Sequence, residues 1–334
     1  MTPPKPTPGR HHRDGAETAL LTAGDINRLL DLDQALASIR AGFLADHTGL
    51  PTGQRIRTDL PGPGTANALL PGLLPDIPAY TVKVNAKFPA ARPALRGVVC
   101  LFSLVDGTLL DSASLTAWRT GLAAALGTHL LGAPEATVIG LIGAGAQGRA
   151  TLTGLRHLRQ VDRVVVHDPD PAALDALHRE HPDLAFQPVA GPQAVAMAAP
   201  VVILATWSRT PLLWLTDLSP GQHLTSLGAD EPGKAELATD LLQAARLVVD
   251  NRTLATSSGV LTDAALQADA VELTVALRAP TPSARSPACP GHRCGCARSP
   301  RATAHTQPRE GYAVLADLLW MPWSDWLASS GPQR

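Results

Sequence analysis

Val138-Ile139-Gly140-Leu141-Ile142 runs without a break into Gly143-Ala144-Gly145-Ala146-Gln147-Gly148. The first five residues read as a buried strand. The glycine run reads as a turn leading into a helix whose Ala150, Leu152, Leu155 and Leu158 are available for packing. Each glycine has a separate physical task. Gly143 permits the tight turn, Gly145 lets the backbone approach a pyrophosphate, and Gly148 lets the helix pack closely on the strand. The first helical residues, Ala146 and Gln147, then offer free N–H groups and the positive dipole end to phosphates. A second apolar run, Val164-Val165-Val166-His167, ends at Asp168. That acid lies about 20 residues past the glycines, where a carboxylate accepts bonds from ribose hydroxyls. It would repel a 2′-phosphate, so NAD is expected, with Arg163 and Arg179 leaving NADP open. Glycines, strand, helix and acid together specify a dinucleotide site far better than the glycines alone.

The same alternation continues outward. Thr137–Ile142, Arg163–His167, Leu184–Gln187, Val201–Ala205, His223–Leu227 and Arg246–Val249 are six apolar runs separated by helix-length segments or loops. Continuous apolar strands alternating with helices imply a parallel sheet covered on both faces. The expected fold is therefore α/β, a Rossmann-type doubly wound parallel sheet over residues 116–261, opened by an Ala/Leu-rich helix Thr116–Leu131. Residues 17–115 read as a separate α+β domain for substrate binding and dimerisation, with a C-terminal return from about residue 262. In it Thr22 and Asp25 have capping-box-like spacing, and Ile26, Leu29, Leu30, Ala35, Leu36, Ile39 and Phe43 recur at helical spacing. Leu50–Pro78 is punctuated by Pro and Gly and predicts loops and short strands. Tyr80–Phe88 and Gly97–Val105 read as strands, and Asp106-Gly107 as a hairpin turn.

The chain has 334 residues, enough for two cores, and a formal net charge of -1. No global basic field is available for nucleic acid or an anionic membrane. Residues 1–16 are rich in Pro, His and Arg and read as a disordered tail without the apolar stretch of a signal peptide. No later run is long enough to span a bilayer, so a cytoplasmic protein is expected. Residues 279–310 have the texture of a linker, and 311–334 form a divergent segment in which Leu315–Leu327 reads as a terminal helix interrupted by Pro322. Cys289, His292, Cys294 and Cys296 lie close together, but their spacing matches no standard finger and lacks a paired half, so no metal is expected.

A cofactor site needs a substrate site, and the front domain carries Arg55, Arg57, Lys83, Lys87, Arg92, Arg96 and Arg119 among few carboxylates. Arginines of this kind can hold a carboxylate bidentately. Four motifs stand out in the front half: Arg57-Thr58-Asp59-Leu60-Pro61, Leu70-Pro71-Gly72-Leu73, Lys83-Val84-Asn85-Ala86-Lys87-Phe88-Pro89 and Leu115-Thr116-Ala117-Trp118-Arg119-Thr120-Gly121. The glycine loop and Gly228-Ala229-Asp230-Glu231-Pro232-Gly233-Lys234-Ala235-Glu236-Leu237 complete the set. In these motifs the sequence resembles the ornithine cyclodeaminase/μ-crystallin family. The resemblance covers roughly residues 20–275 and implies a homodimer acting on a small amino acid or cyclic imino acid. It implies that Arg57 and Arg119 grip the α-carboxylate, with Arg55 as the alternative to Arg57. Lys83 would work as acid or base beside the reacting nitrogen. Asp230 would meet a distal amine. Thr116 and Thr120 would start a helix facing the cofactor phosphates, and Thr206 would approach the nicotinamide side.

The reaction so implied is conversion of ornithine to proline and ammonia. NAD⁺ takes hydride from Cα, the δ-amine closes on the imine, ammonia leaves, and the same NADH reduces the cyclic imine. Two other readings stand beside it. One is an NAD(P)H-dependent reductase of cyclic imines such as Δ1-pyrroline-2-carboxylate, or an amino-acid dehydrogenase. The other is a non-catalytic dinucleotide-binding protein. Asp230 favours the cyclising enzyme, because a second, cationic amine needs a carboxylate.

Overall fold

The computed structural model describes residues 19–45, 56–73, 77–91, 94–107, 109–113, 116–228, 233–263, 266–267, 270–278 and 313–316. The chain divides into two compact units, Met1–Arg119 with Met321–Arg334, and Thr120–Trp320.

The first unit opens with β1 (Ala19–Leu21), α1 (Ala23–Leu29) and α2 (Leu32–Leu44). Thr22 and Asp25 form a reciprocal capping box on α1. The helical spacing over residues 26–43 belongs to two helices rather than one. Asp31 interrupts it by capping α2 with its side chain, which accepts from the Gln34 N–H at 3.0 Å. There follow β2 (Ile56–Asp59), β3 (Ala66–Leu73), β4 (Ala79–Lys87), β5 (Leu95–Ser103) and β6 (Leu109–Ala113). They make a six-stranded sheet in the order β1-β6-β5-β4-β3-β2, with β1 parallel to β6 and the other ladders antiparallel. Gly107 turns β5 into β6 at a φ of 75°, which a glycine adopts without steric cost. Ala66, Ala68, Leu70, Thr81, Val99 and Leu101 are buried on one face of this sheet. On the opposite face Tyr80 stacks on Phe102 across the β4–β5 ladder, with centroids 5.0 Å apart.

Two long helices and a parallel sheet organise the second unit. Its elements are α3 (Thr116–Leu131, beginning just before the unit boundary), β7 (Val138–Ile142), α4 (Ala146–Leu158), β8 (Arg163–His167) and α5 (Pro171–Glu180). Then come β9 (Ala185–Pro188), α6 (Pro192–Ala198), β10 (Val201–Leu204), β11 (His223–Ser226), α7 (Thr239–Ala244), β12 (Arg246–Val249) and α8 (Arg252–Ser258). The last described elements are β13 (Val271–Glu272), α9 (Leu273–Arg278) and β14 (Ala313–Ala316). The sheet order is β13-β12-β14-β11-β10-β7-β8-β9, all parallel. Strands β7 to β9 step outward one way and β10 returns to the other side of β7, which is the Rossmann order with its switch point between β7 and β10.

Strand residues alternate between the two faces. Ile139, Leu141, Val164, Val166, Val201 and Ile203 join one core with Leu152 and Leu155 of α4 and Leu177 of α5. Val165, Val202, Leu204, Leu224, Leu247 and Val249 join another with Val195, Leu241 and Leu242. Each fully buried side chain of this size contributes roughly 1.5–3 kcal/mol. Helices α3 and α4 pack unusually close. A Cβ at Gly121 would lie 2.5 Å from that of Ala150, and one at Gly154 would lie 2.7 Å from Leu122.

The terminal helix expected over Leu315–Leu327 lies outside the described residues except for its first two positions, which belong to β14. Strand β14 lies between β11 and β12 and pairs with both in one register, His223 and Arg246 each opposite Ala313. Among the described residues, β14 alone links β11 to β12.

The N-terminal edge of this sheet holds a directed hydrogen-bond chain. Thr128 donates to the Ala124 carbonyl at 2.7 Å, so the Thr225 hydroxyl must donate to Thr128, also at 2.7 Å. His223 Nε2, 2.9 Å from Thr225, then carries the proton. His223 is 2% exposed and its Nδ1 has no partner among the described residues. Burial, and then the nearby Arg159, push its pKa from 6.5 down to about 3. The folded state therefore excludes a proton that the unfolded chain binds. His223 costs no stability above about pH 6.5, and stability falls progressively from there toward pH 3. One such group gives a slope of at most about 1.4 kcal/mol per pH unit. His223→Gln is expected to lower Tm near pH 8 yet flatten its decline between pH 6.5 and 4. Parallel Tm–pH curves for the two proteins would contradict this origin of acid sensitivity.

Candidate functional site

The carboxyl ends of β7, β8, β10 and β11 lie along one edge of the parallel sheet, and the candidate dinucleotide residues Gly143, Gly145, Gly148, Asp168 and Thr206 collect there. Gly143 leaves β7 at a φ of 95°. Its N–H donates to His167 O at 2.9 Å, which fixes the turn against the end of β8. A Cβ at 143 would lie 2.5 Å from the Ala205 carbonyl oxygen, and one at Gly148 would collide with the Gly143 carbonyl. These two positions are closed to side chains by the protein itself.

Gly145 is different. It is the N-cap of α4, its φ and ψ of -67° and -177° suit any residue, and no side chain caps the helix. A Cβ placed there meets nothing within 4 Å. The first turn of α4, with Ala146 and Gln147, thus presents uncapped N–H groups beside open space. An anion such as a pyrophosphate fits this arrangement on both charge and room.

Asp168 follows β8 and borders the same loop. One carboxylate oxygen accepts the Ala144 N–H at 2.7 Å and the other accepts the Asp170 N–H at 2.8 Å. Each oxygen keeps a further lone pair for a ribose hydroxyl. Arg149, which the sequence reading did not single out, donates to the Ala144 carbonyl at 3.0 Å and pairs with Glu180 at 2.9 Å. It braces the loop from the helix side.

Thr206 lies just past β10, and its hydroxyl is already committed. It donates to Glu236 Oε1 at 2.7 Å and accepts the Ser208 N–H at 3.2 Å. Glu236 was visible in the sequence only as part of a motif. Its signal there is a lone acid before the apolar Leu237-Ala238, both of which are buried. Thr116 begins α3, and Arg119 and Thr120 are buried in its first turns at 3% and 7% exposure.

The first unit holds the other candidates on the β2–β3–β4 sheet. Arg57 stands opposite Ala68, Ala68 opposite Asn85, and Lys83 opposite Leu70. Residues in cross-strand register share a face, as do residues two apart. Arg57 and Lys83 therefore lie on the same face, two strands and two residues apart, with Cα atoms about 12 Å from each other. Long cationic side chains can reach toward each other across that span. Arg57 pairs with Asp59 at 2.8 Å, a surface contact that a ligand carboxylate can displace at little cost. Arg55, Asp230, Cys289, His292, Cys294 and Cys296 lie outside the described residues. Among the described residues, no helix is long and apolar enough to cross a membrane.

Comparison with known proteins gives this geometry a lineage. The L-lysine cyclodeaminase of Streptomyces rapamycinicus is 29% identical over 276 residues, covering 73% of this chain and 77% of that protein. The Δ1-pyrroline-2-carboxylate reductase of Paracoccus denitrificans is 28% identical over 252 residues, covering 72% and 77%. The iminosuccinate reductase of Paracoccus denitrificans, solved in complex with NAD⁺, shares the fold with a TM-score of 0.72 at 20% identity over 93% of each chain. The family model for ornithine cyclodeaminase/mu-crystallin matches residues 16–275, and the chain belongs to that family.

Proposed function

We propose that this chain is an NAD-dependent enzyme of α-amino and α-imino acids that converts L-ornithine to L-proline and ammonia. The observation that carries the reading is the cradle at Gly143–Gly148, open over Gly145 and bordered by Asp168. NAD, when bound there, supplies the acceptor and then the donor of the Cα hydride. Uncapped N–H groups of Ala146 and Gln147 hold the pyrophosphate, and Asp168 holds the adenosine ribose. On the substrate side, Arg57 and Arg119 fix the α-carboxylate, which orients Cα. Lys83 holds and moves the proton at the reacting nitrogen. Asp230 holds the δ-ammonium and takes a proton from it, so that the free amine can close the ring.

A second reading is reduction of a cyclic imine. The near-equal similarity to a lysine cyclodeaminase and to a Δ1-pyrroline-2-carboxylate reductase favours it as much as the first. The same arginines and lysine serve both reactions. Only the cyclodeaminase needs the Asp230 carboxylate for a second amine.

One assay separates them. Purified protein with catalytic NAD⁺ and L-ornithine is expected to release ammonia with no net change at the NADH absorbance band. Stoichiometric NADH loss with Δ1-pyrroline-2-carboxylate, and no ammonia from ornithine, would replace the first reading by the second. Cofactor binding with neither activity would leave a non-catalytic binding protein.

A further inference from the structure

Glu236 is 1% exposed, and its carboxylate is surrounded by donors. Oε1 accepts the Thr206 N–H and hydroxyl, both at 2.7 Å. Oε2 accepts the Ser226 hydroxyl at 2.7 Å and the Gly228 N–H at 2.8 Å. Four neutral donors thus fill the four acceptor sites of one ionised carboxylate. A buried carboxylate is costly unless fully hydrogen-bonded, and here only an all-acceptor group satisfies the geometry. Glutamine would turn its amide donors toward at least one donor. The Glu236 backbone joins in, its carbonyl accepting the Leu212 N–H at 2.8 Å.

This residue reaches the cofactor cradle through a short chain of contacts. Glu236 fixes both the N–H and the hydroxyl of Thr206. Thr206 Cγ2 and the Ala205 carbonyl are the atoms closing the space beside Gly143, at 3.1 and 2.5 Å from a hypothetical Cβ. Ala205 N–H also donates to Ile142 O at 2.9 Å, tying β10 to the last residue before the turn. On the other side, Glu236 accepts the Gly228 N–H just past the end of β11. A Cβ at Gly228 would lie 2.5 Å from the Glu236 carboxyl carbon, so the glycine there makes room for the carboxylate.

We propose that Glu236 is a positioning residue for the dinucleotide: acting through Thr206, it sets the Gly143 turn. The inference rests on the NAD-binding reading above. It does not place Glu236 in contact with the cofactor.

The test is an NADH fluorescence titration of the purified full chain, with thermal melts run in parallel. Wild type binds NADH. Glu236→Gln is expected to stay folded with a lower Tm and to bind at least about tenfold more weakly. Thr206→Val, which keeps the shape and removes the hydroxyl, is expected to weaken binding about three- to tenfold. The double variant should match Glu236→Gln alone, because both changes break one pathway. Unchanged NADH affinity in folded Glu236→Gln would reduce the residue to a structural role and overturn the proposal. Strictly additive losses would overturn it too, since they assign Thr206 an independent contact. Should Glu236→Gln fail to fold, an unchanged affinity in Thr206→Val alone is sufficient to refute it. Failure of wild type to bind NADH would instead sink the NAD reading itself.

Discussion

Replacing Gly145 by valine is expected to weaken NADH binding at least about 100-fold while leaving the melting temperature nearly unchanged. The two outcomes separate because Gly145 has no structural reason to be glycine. Its backbone lies in the extended region open to every residue, and a Cβ there meets no protein atom within 4 Å. A β-branched side chain is well suited to that conformation. What valine would fill is the space that the proposed pyrophosphate site requires against the first turn of α4. A 100-fold loss corresponds to about 2.7 kcal/mol, the scale of displacing a charged ligand from several N–H donors. Gly143→Ala is the contrast. There the φ of 95° and the 2.5 Å approach to Ala205 O predict a loss of stability as well as of binding. If Gly145→Val binds NADH normally, the open space over α4 is not the phosphate site.

Lys83→Ala is expected to lower turnover by about a thousandfold and to leave NADH affinity within about twofold. Acid–base catalysis by a placed side chain contributes roughly 10²–10⁴. Lys83 lies on β4, on the sheet face that also carries Arg57, and β4 belongs to the first unit whereas the glycine turn belongs to the second. The change should therefore act on chemistry and spare the cofactor. Arg57→Leu should show the complementary pattern, raising KM more than it lowers kcat if its work is to hold the substrate carboxylate. Retention of more than a tenth of wild-type turnover by Lys83→Ala would remove the lysine from the proton-transfer role.

The Rossmann half was legible because its information is local. Continuous apolar runs such as Val164–Val166 and the glycine spacing mark strand, turn and helix without knowledge of the remainder of the chain. Arg163–His167 and Arg246–Val249 begin and end in the structure where the apolar pattern does. The front unit was harder. Strand β3 contains Leu70-Pro71-Gly72, which reads as a turn. Among the described residues β2 pairs with Ala66–Leu69, and Pro71 lies beyond that ladder with β4 as its described partner, a position at which a proline is tolerated. Strands β1 and β14 have three and four residues; the partner of β1 is about 90 residues further along the chain, and those of β14 are about 70 and 90 residues back. Nothing local announces them.

The candidate site divides in the same way. Asp168 was legible from its distance to the glycines, although its bonds to Ala144 and Asp170 were not. Glu236 illustrates the opposite limit. A single acid in an apolar stretch says that something must satisfy it. That its four donors come from residues 206, 226 and 228 follows only from bringing the ends of β10 and β11 together.

Both catalytic readings require hydride to pass between the nicotinamide and Cα of an imino acid. NADH carrying deuterium at C4 of the nicotinamide, prepared as each epimer and incubated with the protein and Δ1-pyrroline-2-carboxylate, tests that directly by mass spectrometry of the product. Proline with one deuterium at Cα, from one epimer and not the other, is the expected result. Unlabelled proline from both epimers, or no proline at all, would contradict hydride transfer by this chain.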